Sequence, residues 1–149
     1  MSFAVRAATA ADAPALAELE REARDALVEA RGGPQLLAEQ PPVGEWASVL
    51  AEPEVRVWVA AIDDVIVGYL QLQLPPPGGA GVVTQVFILE DAREVGFGDE
   101  LLAEAIAATL AAGGTVIESF ALPGDRDTKN LYERAGVTAR KIIVSKRLV

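Results

Sequence analysis

Between Leu89 and Ile106 the chain reads LEDAREVGFGDELLAEAI: a charged bend, two glycines one residue apart, then an Ala/Leu-rich periodic run. Glycine costs stability wherever a side chain would serve, so Gly96 and Gly98 need a physical reason. The periodic run predicts a helix, and a helix start carries free backbone N–H groups and a partial positive charge. Bare backbone at that point admits an anionic group, phosphate above all. The spacing is Arg93-x-x-Gly96-x-Gly98. It is not a Walker loop, which needs Gly-x4-Gly-Lys-Ser/Thr. Nor is it a dinucleotide fingerprint, because Leu101 stands where the third small residue belongs.

The chain has no cysteine and no histidine. That removes disulfides, thiolate metal sites, cysteine nucleophiles and the usual Ser-His-Asp arrangement. Most zinc and iron sites go with them, and no metal site is expected. Proton transfer is left to carboxylate, Tyr, Lys, a terminus or water. Net charge is −9, which disfavours nonspecific nucleic-acid binding. The charge is uneven: residues 1–64 hold 5 basic and 12 acidic side chains, residues 126–149 hold 7 and 2. No apolar run approaches the ~20 residues of a membrane span, and MSFAVRAATAADAP lacks a leader pattern. A cytoplasmic location is the default expectation.

The elements that position these residues follow from periodicity. FAVRAAT predicts a short strand. Leu16, Leu19, Ala23, Leu27 and Ala30 form one apolar face of a helix that starts near Thr9 or Asp12 and stops at Gly32–Gly33. PQLLAEQPPVGEWASVLAE predicts a second helix broken at Pro41–Pro42. VRVWVAAID and VIVGYLQLQL predict a hairpin turning near Asp63–Asp64. VVTQVFIL is a strand. The helix after the glycine bend runs to about Ala112 and ends at Gly113–Gly114. TVIESFAL is a strand, PGDRDTKNLYERAG a turn plus short helix closed by Gly136, and TARKIIVSKRLV a final strand or hairpin arm. The order β-α-α-β-β-β-α-β-α-β gives a mixed α/β fold, with no repeat and no linker dividing residues 1–149.

The element order, the Arg93–Gly98 loop and the Tyr132-Glu133-Arg134-Ala135-Gly136 close together resemble the GCN5-related N-acetyltransferase (GNAT) family. The opening VRAATAADAPALAEL fits more loosely, and the resemblance spans essentially the whole chain. It implies a centrally splayed sheet flanked by helices, with acetyl-CoA wedged between two parted strands. Val86, Phe87 and Ile88 match the strand whose backbone bonds the pantetheine arm, since parted strands leave N–H and C=O groups free. Arg93, Glu94, Val95, Gly96, Phe97, Gly98 and Asp99 match the pyrophosphate loop. Glu94 and Val95 depart from the Gly or basic residues usual there. Asp125 stands where relatives often have Asn, and it also reads as a helix N-cap. Asn130 is a further cofactor candidate.

By the same resemblance, Tyr132 matches the tyrosine that protonates the leaving CoA thiolate. A phenol with pKa near ~10 is protonated at neutral pH and can donate. The base stays open. Relatives often carry a glutamate near the position of Val82, which is apolar here. The candidates are Glu118, a carboxylate acting through water, or no base. Transfer would be direct in a ternary complex, because no cysteine can carry the acetyl group. The acceptor would be a small-molecule or peptide amine, framed by the first two helices and residues 69–81. The acidic N-terminal half suits a cationic one. A homodimer is compatible with this reading. The rival reading is a CoA-binding regulatory domain of the same fold with little catalysis.

Overall fold

The computed structural model describes residues 1–149. Five strands form one sheet in the order β1-β2-β3-β4-β5: Phe3–Ala7, Val55–Ile62, Val65–Gln73, Ala80–Ile88 and Val116–Glu118. The first four pair antiparallel, and β4 pairs β5 parallel. The helices are α1 Ala13–Leu27, α2 Gly33–Glu39, α3 Trp46–Leu50, α4 Phe97–Ala111 and α5 Arg126–Arg134. No helix is long and apolar enough to cross a membrane.

Side chains on β2 alternate between two apolar layers, as a strand covered on both faces requires. Val55, Val57 and Val59 enter a cluster with Leu16 and Leu19 of α1 and Trp46 of α3. Trp58 and Ala60 enter the other, with Leu101, Leu102 and Ala105 of α4 and Leu131 and Tyr132 of α5. Each fully buried leucine here stabilises the fold by roughly 1.5–3 kcal/mol. β2 turns into β3 at Asp63–Asp64, both at positive φ (48° and 67°), with Ile62 opposite Val65. That is the two-residue turn whose twist matches a hairpin.

The start of α1 is fixed by one buried carboxylate. Asp12 accepts from the Thr9 N–H at 2.7 Å and from both terminal nitrogens of Arg6 at 2.7 and 2.9 Å. The Arg6 guanidinium, with the Thr9 bonds, holds the Asp12 carboxyl below the usual carboxylate range against the cost of burial. The contact ties the end of β1 to the first turn of α1.

Two expectations are corrected. Residues 138–149 form no strand, and every one of them is exposed. β5 is three residues long, not eight, because β4 and β5 separate after Val82↔Glu118.

Candidate active site

The site begins where the sheet opens. β4 and β5 share three register pairs, Ala80↔Val116, Gly81↔Ile117 and Val82↔Glu118. β4 continues to Ile88 with β3 alone beside it. On the β5 side the Ser119 hydroxyl donates to the Val83 carbonyl at 2.9 Å, and Arg93 Nε donates to the Ile88 carbonyl at 2.9 Å. The strand-edge groups between those two points have no partner strand. Buried or half-buried backbone left in this way favours a ligand with amides of its own.

One wall of the gap is the start of α4. Gly96 is the N-cap at φ 89°, and no side chain caps the helix. The first helical bond runs from the Glu100 N–H to the Gly96 carbonyl at 3.1 Å. The N–H groups of Phe97, Gly98 and Asp99 therefore lack helical acceptors. The two glycines serve different ends. A Cβ on Gly96 would meet no atom within 4 Å, so the residue answers a left-handed backbone and leaves open space above it. A Cβ on Gly98 would lie 3.3 Å from Leu131 Cδ1 and 3.5 Å from Ile88 Cδ1. Gly98 lets α5 pack closely on α4, which access for a ligand alone does not account for.

The other wall follows β5. Ser119 to Leu122 line a cleft of about 1100 Å³, with Tyr132 on α5 behind them. The Tyr132 hydroxyl donates to Ser119 Oγ at 2.6 Å. Only 7% of Tyr132 is exposed. Burial pushes its hydroxyl up, the Ser119 bond opposes that, and Asp125 adds to it. The net direction is upward, so the phenol keeps its proton at neutral pH. Ser119 escapes a reading based on residue type, because its role depends on lying at the point of strand separation.

Most of the residues singled out in sequence converge. Val86, Phe87, Ile88, Arg93, Glu94, Gly96, Phe97, Gly98, Asp99, Asp125, Asn130 and Tyr132 all line the cleft. Val95 and Glu118 do not. Glu118 is exposed on the last paired residue of β5. Alternation turns it away from Ser119, its neighbour, which faces Tyr132. Phe97 is 3% exposed and packs edge-on to Phe3 at 5.6 Å, which anchors the helix start. Arg93 is engaged by the protein: besides Ile88, it lies 5.9 Å over the Phe87 ring and 3.8 Å from Asp127. Asp125 is the N-cap of α5, accepting from the Thr128 N–H at 3.1 Å.

The lining that residues 1–64 give the cleft is basic, although that half of the chain is acidic overall. Of residues 1–64, the cleft receives Arg24 and Arg31 and no carboxylate. Arg24 is partly committed to the end of α2, donating to the Gln40 carbonyl at 2.6 Å. Glu20 instead lies buried behind the wall, accepting from the Val43 N–H at 3.2 Å and from Gln85 Nε2 at 2.9 Å. Gln85 Nε2 also donates to Gln71 Oε1 at 3.2 Å, and Gln85 Oε1 accepts from the Tyr69 hydroxyl at 2.5 Å. Burial first, then the nearby Glu20 charge, raises the Tyr69 hydroxyl. This chain of polar groups fixes the Gln85 side chain at the cleft. Its one sequence signal is a carboxylate four residues after Leu16, inside the apolar stripe of α1.

A family model described as the acetyltransferase (GNAT) family matches residues 15–137. Among solved structures, the aminoglycoside N-acetyltransferase AAC(6')-Iy in complex with a CoA bisubstrate analog is similar at TM-score 0.73 and 16% identity, over 99% of this chain and 100% of that one. A putative acetyltransferase from Agrobacterium tumefaciens is similar at 0.71 and 23%, over 97% and 99%. A ribosomal-protein-alanine N-acetyltransferase from Brucella melitensis is similar at 0.67 and 19%, over 100% and 99%. These likenesses establish a shared fold. A comparison with curated protein sequences finds no match. With the family model covering most of its length, the chain belongs to the acetyltransferase (GNAT) family of acetyl-CoA-dependent N-acetyltransferases.

Proposed function

We propose that residues 1–149 form one N-acetyltransferase domain that moves acetyl from acetyl-CoA to a primary amine by direct transfer. The observation that carries the reading is the parting of β4 and β5 after Val82↔Glu118, with the Tyr132 hydroxyl at the opening. The pantetheine arm lies along Val86–Ile88, and its amides bond the free edge of β4. The diphosphate docks on the N–H groups at Phe97–Asp99, where the helix start favours negative charge. With Arg93 engaged elsewhere, backbone amides carry most of that contact.

The amine nitrogen attacks the thioester carbonyl carbon, and the carbon–sulfur bond breaks as the tetrahedral intermediate collapses. Tyr132 gives its proton to the departing thiolate, and the nitrogen loses one to water. The proton lost from the amine restores the phenol, so charge balances over a turnover. Residues 1–64 contribute Arg24 and Arg31 and no carboxylate to the cleft, so attraction of an amine there comes from the overall acidic charge and not from a lining carboxylate of that half. The acceptor is assigned as a primary amine of a small molecule or peptide, and a cationic one is the class that the chain's net charge of −9 favours. A homodimer is part of the same reading.

One observation favours the rival, a CoA-binding domain with little catalysis: Glu94, Asp99, Asp125 and Asp127 surround a loop whose arginine is already engaged. Turnover decides between them. Acetyl-CoA consumption across an amine panel, with Tyr132→Phe alongside, should show activity that falls at least tenfold in the variant while CoA affinity holds. CoA binding with no turnover on any amine would favour the rival.

A further inference from the structure

Gln85 has one hydrogen-bonding position that the protein does not use. Both N–H groups of its Nε2 are engaged, one donating to Glu20 Oε2 at 2.9 Å and the other to Gln71 Oε1 at 3.2 Å. Its Oε1 can accept twice and accepts once, from the Tyr69 hydroxyl. Gln85 and Tyr69 both line the cleft. Gln85 lies on β4 beyond Val83, the point held from the β5 side by Ser119. It therefore stands in the stretch where the sheet is open.

Glu20 decides which end of the Gln85 amide faces Tyr69. Tyr69 and Gln71 can each meet either end, because a hydroxyl donates or accepts and an amide offers both a carbonyl and an NH2. A carboxylate only accepts. Glu20 is 5% exposed, and it also holds the Val43 N–H. Turning the amide over would set Gln85 Oε1 against that buried carboxylate, acceptor against acceptor. Nε2 is thus kept on Glu20 and Oε1 on the Tyr69 side. Burial raises the Tyr69 hydroxyl, which keeps its proton and stays a donor. The Glu20 charge polarises the amide through Nε2 and makes Oε1 a stronger acceptor. The carboxylates that line the cleft are Glu90, Glu94, Asp99, Asp125 and Asp127, and all of them belong to the turn into α4 or the start of α5.

We propose that Gln85 Oε1 receives an N–H of the acceptor amine, and that Glu20 is the positioning residue that keeps this oxygen turned to it. The inference deepens the acetyl-transfer reading above and rests on it. One N–H held on Oε1 leaves the nitrogen lone pair free to turn to a thioester lying along β4. The bond strengthens as the nitrogen gains positive charge on forming the new C–N bond, so it acts on turnover as well as on binding. The amide holds the amine without taking its proton, which leaves to water. A primary amine suits this arrangement because it has one N–H to be held and another to lose. An N-methyl amine has a single N–H for both.

Steady-state kinetics at saturating acetyl-CoA test this, with neamine, spermidine and a lysyl peptide as acceptors and the best of them carried forward. Gln85→Met keeps the length and removes both polar ends; kcat/KM for the amine should fall about tenfold or more, with CoA affinity by calorimetry within about twofold of wild type. Glu20→Gln retains an acceptor for the Val43 N–H but lets the Gln85 amide turn over. It should lower the same quantity at a melting temperature close to wild type, and it covers the case in which Gln85→Met fails to fold. Wild type should prefer the primary amine to its N-methyl form, and Gln85→Met should narrow that preference, which loosened packing alone does not do. Unchanged kcat/KM for the amine in either folded variant overturns the proposal. So does an undiminished preference in Gln85→Met, or a loss matched by an equal loss of CoA affinity. A wild type that binds CoA and turns over none of the amines overturns the acetyl-transfer reading, and this proposal with it.

Discussion

Replacing Gly96 and Gly98 by alanine should have separable effects, because the two residues are small for different reasons. At Gly96 the backbone has φ 89° and a Cβ meets nothing within 4 Å. The cost is conformational alone, about 1–2 kcal/mol for an L-residue forced left-handed. For a chain of this size that lowers the melting temperature by about 2–8 °C. The same Cβ would stand over the free N–H groups of the α4 start and crowd a docked diphosphate, so CoA affinity should also fall. Gly98 lies inside α4, where alanine gains up to about 1 kcal/mol of helix propensity. Its Cβ at 3.3 Å from Leu131 requires a shift of a few tenths of an ångström, which offsets that gain. Gly98→Ala should therefore change stability by less than about 1 kcal/mol, whereas Gly98→Leu should overpack the α4–α5 contact at about 1–3 kcal/mol. Urea unfolding and calorimetric titration with CoA read both quantities on the same samples. A Gly96→Ala protein as stable as wild type, with unchanged CoA affinity, would refute the account of this turn.

Three further outcomes are expected. Asp12 is held below its ordinary pKa by Arg6, so its contribution is present above about pH 3.8 and is lost as pH falls through the lower folded value; Asp12→Asn should flatten the acid limb of a stability–pH curve, and an unchanged limb would remove Asp12 from acid unfolding. Glu20→Ala leaves the Val43 N–H without its acceptor and Gln85 Nε2 with Gln71 alone; a loss of about 1–3 kcal/mol in urea unfolding is expected, and no loss would show that the network is not stabilising. Since burial raises the Tyr132 hydroxyl, turnover at saturating acetyl-CoA should show no loss assignable to its ionisation below about pH 10; a descending limb near pH 8 that disappears in Tyr132→Phe would contradict the proton-donor role.

Local rules made several elements legible. The Asp63–Asp64 turn, the end of α4 at Gly113 and the break at Pro41–Pro42 each rest on residues whose backbone preferences decide the matter. The β-strand character of residues 138–149 was equally plain in composition, yet no strand forms, because a strand needs a neighbour and local propensity cannot supply one. The cleft was legible in part. The Arg93–Asp99 loop and Tyr132 could be placed by motif. Glu118 was one of the open options for the base, but which side of β5 faces the opening depends on where the strands part. Ser119 and Gln85 depend on long-range contacts: Gln85 meets Glu20 across 65 positions of sequence. Arg93 matched the pyrophosphate loop by resemblance, and only the fold shows it beside Ile88, Phe87 and Asp127.

The most direct test is a crystal structure with acetyl-CoA bound. The account predicts pantetheine amides bonded to the β4 edge between Val83 and Ile88, diphosphate oxygens on the Phe97–Asp99 amides, and the thioester sulfur within hydrogen-bonding distance of the Tyr132 hydroxyl. A cofactor seated elsewhere, or a sulfur remote from Tyr132, would contradict it.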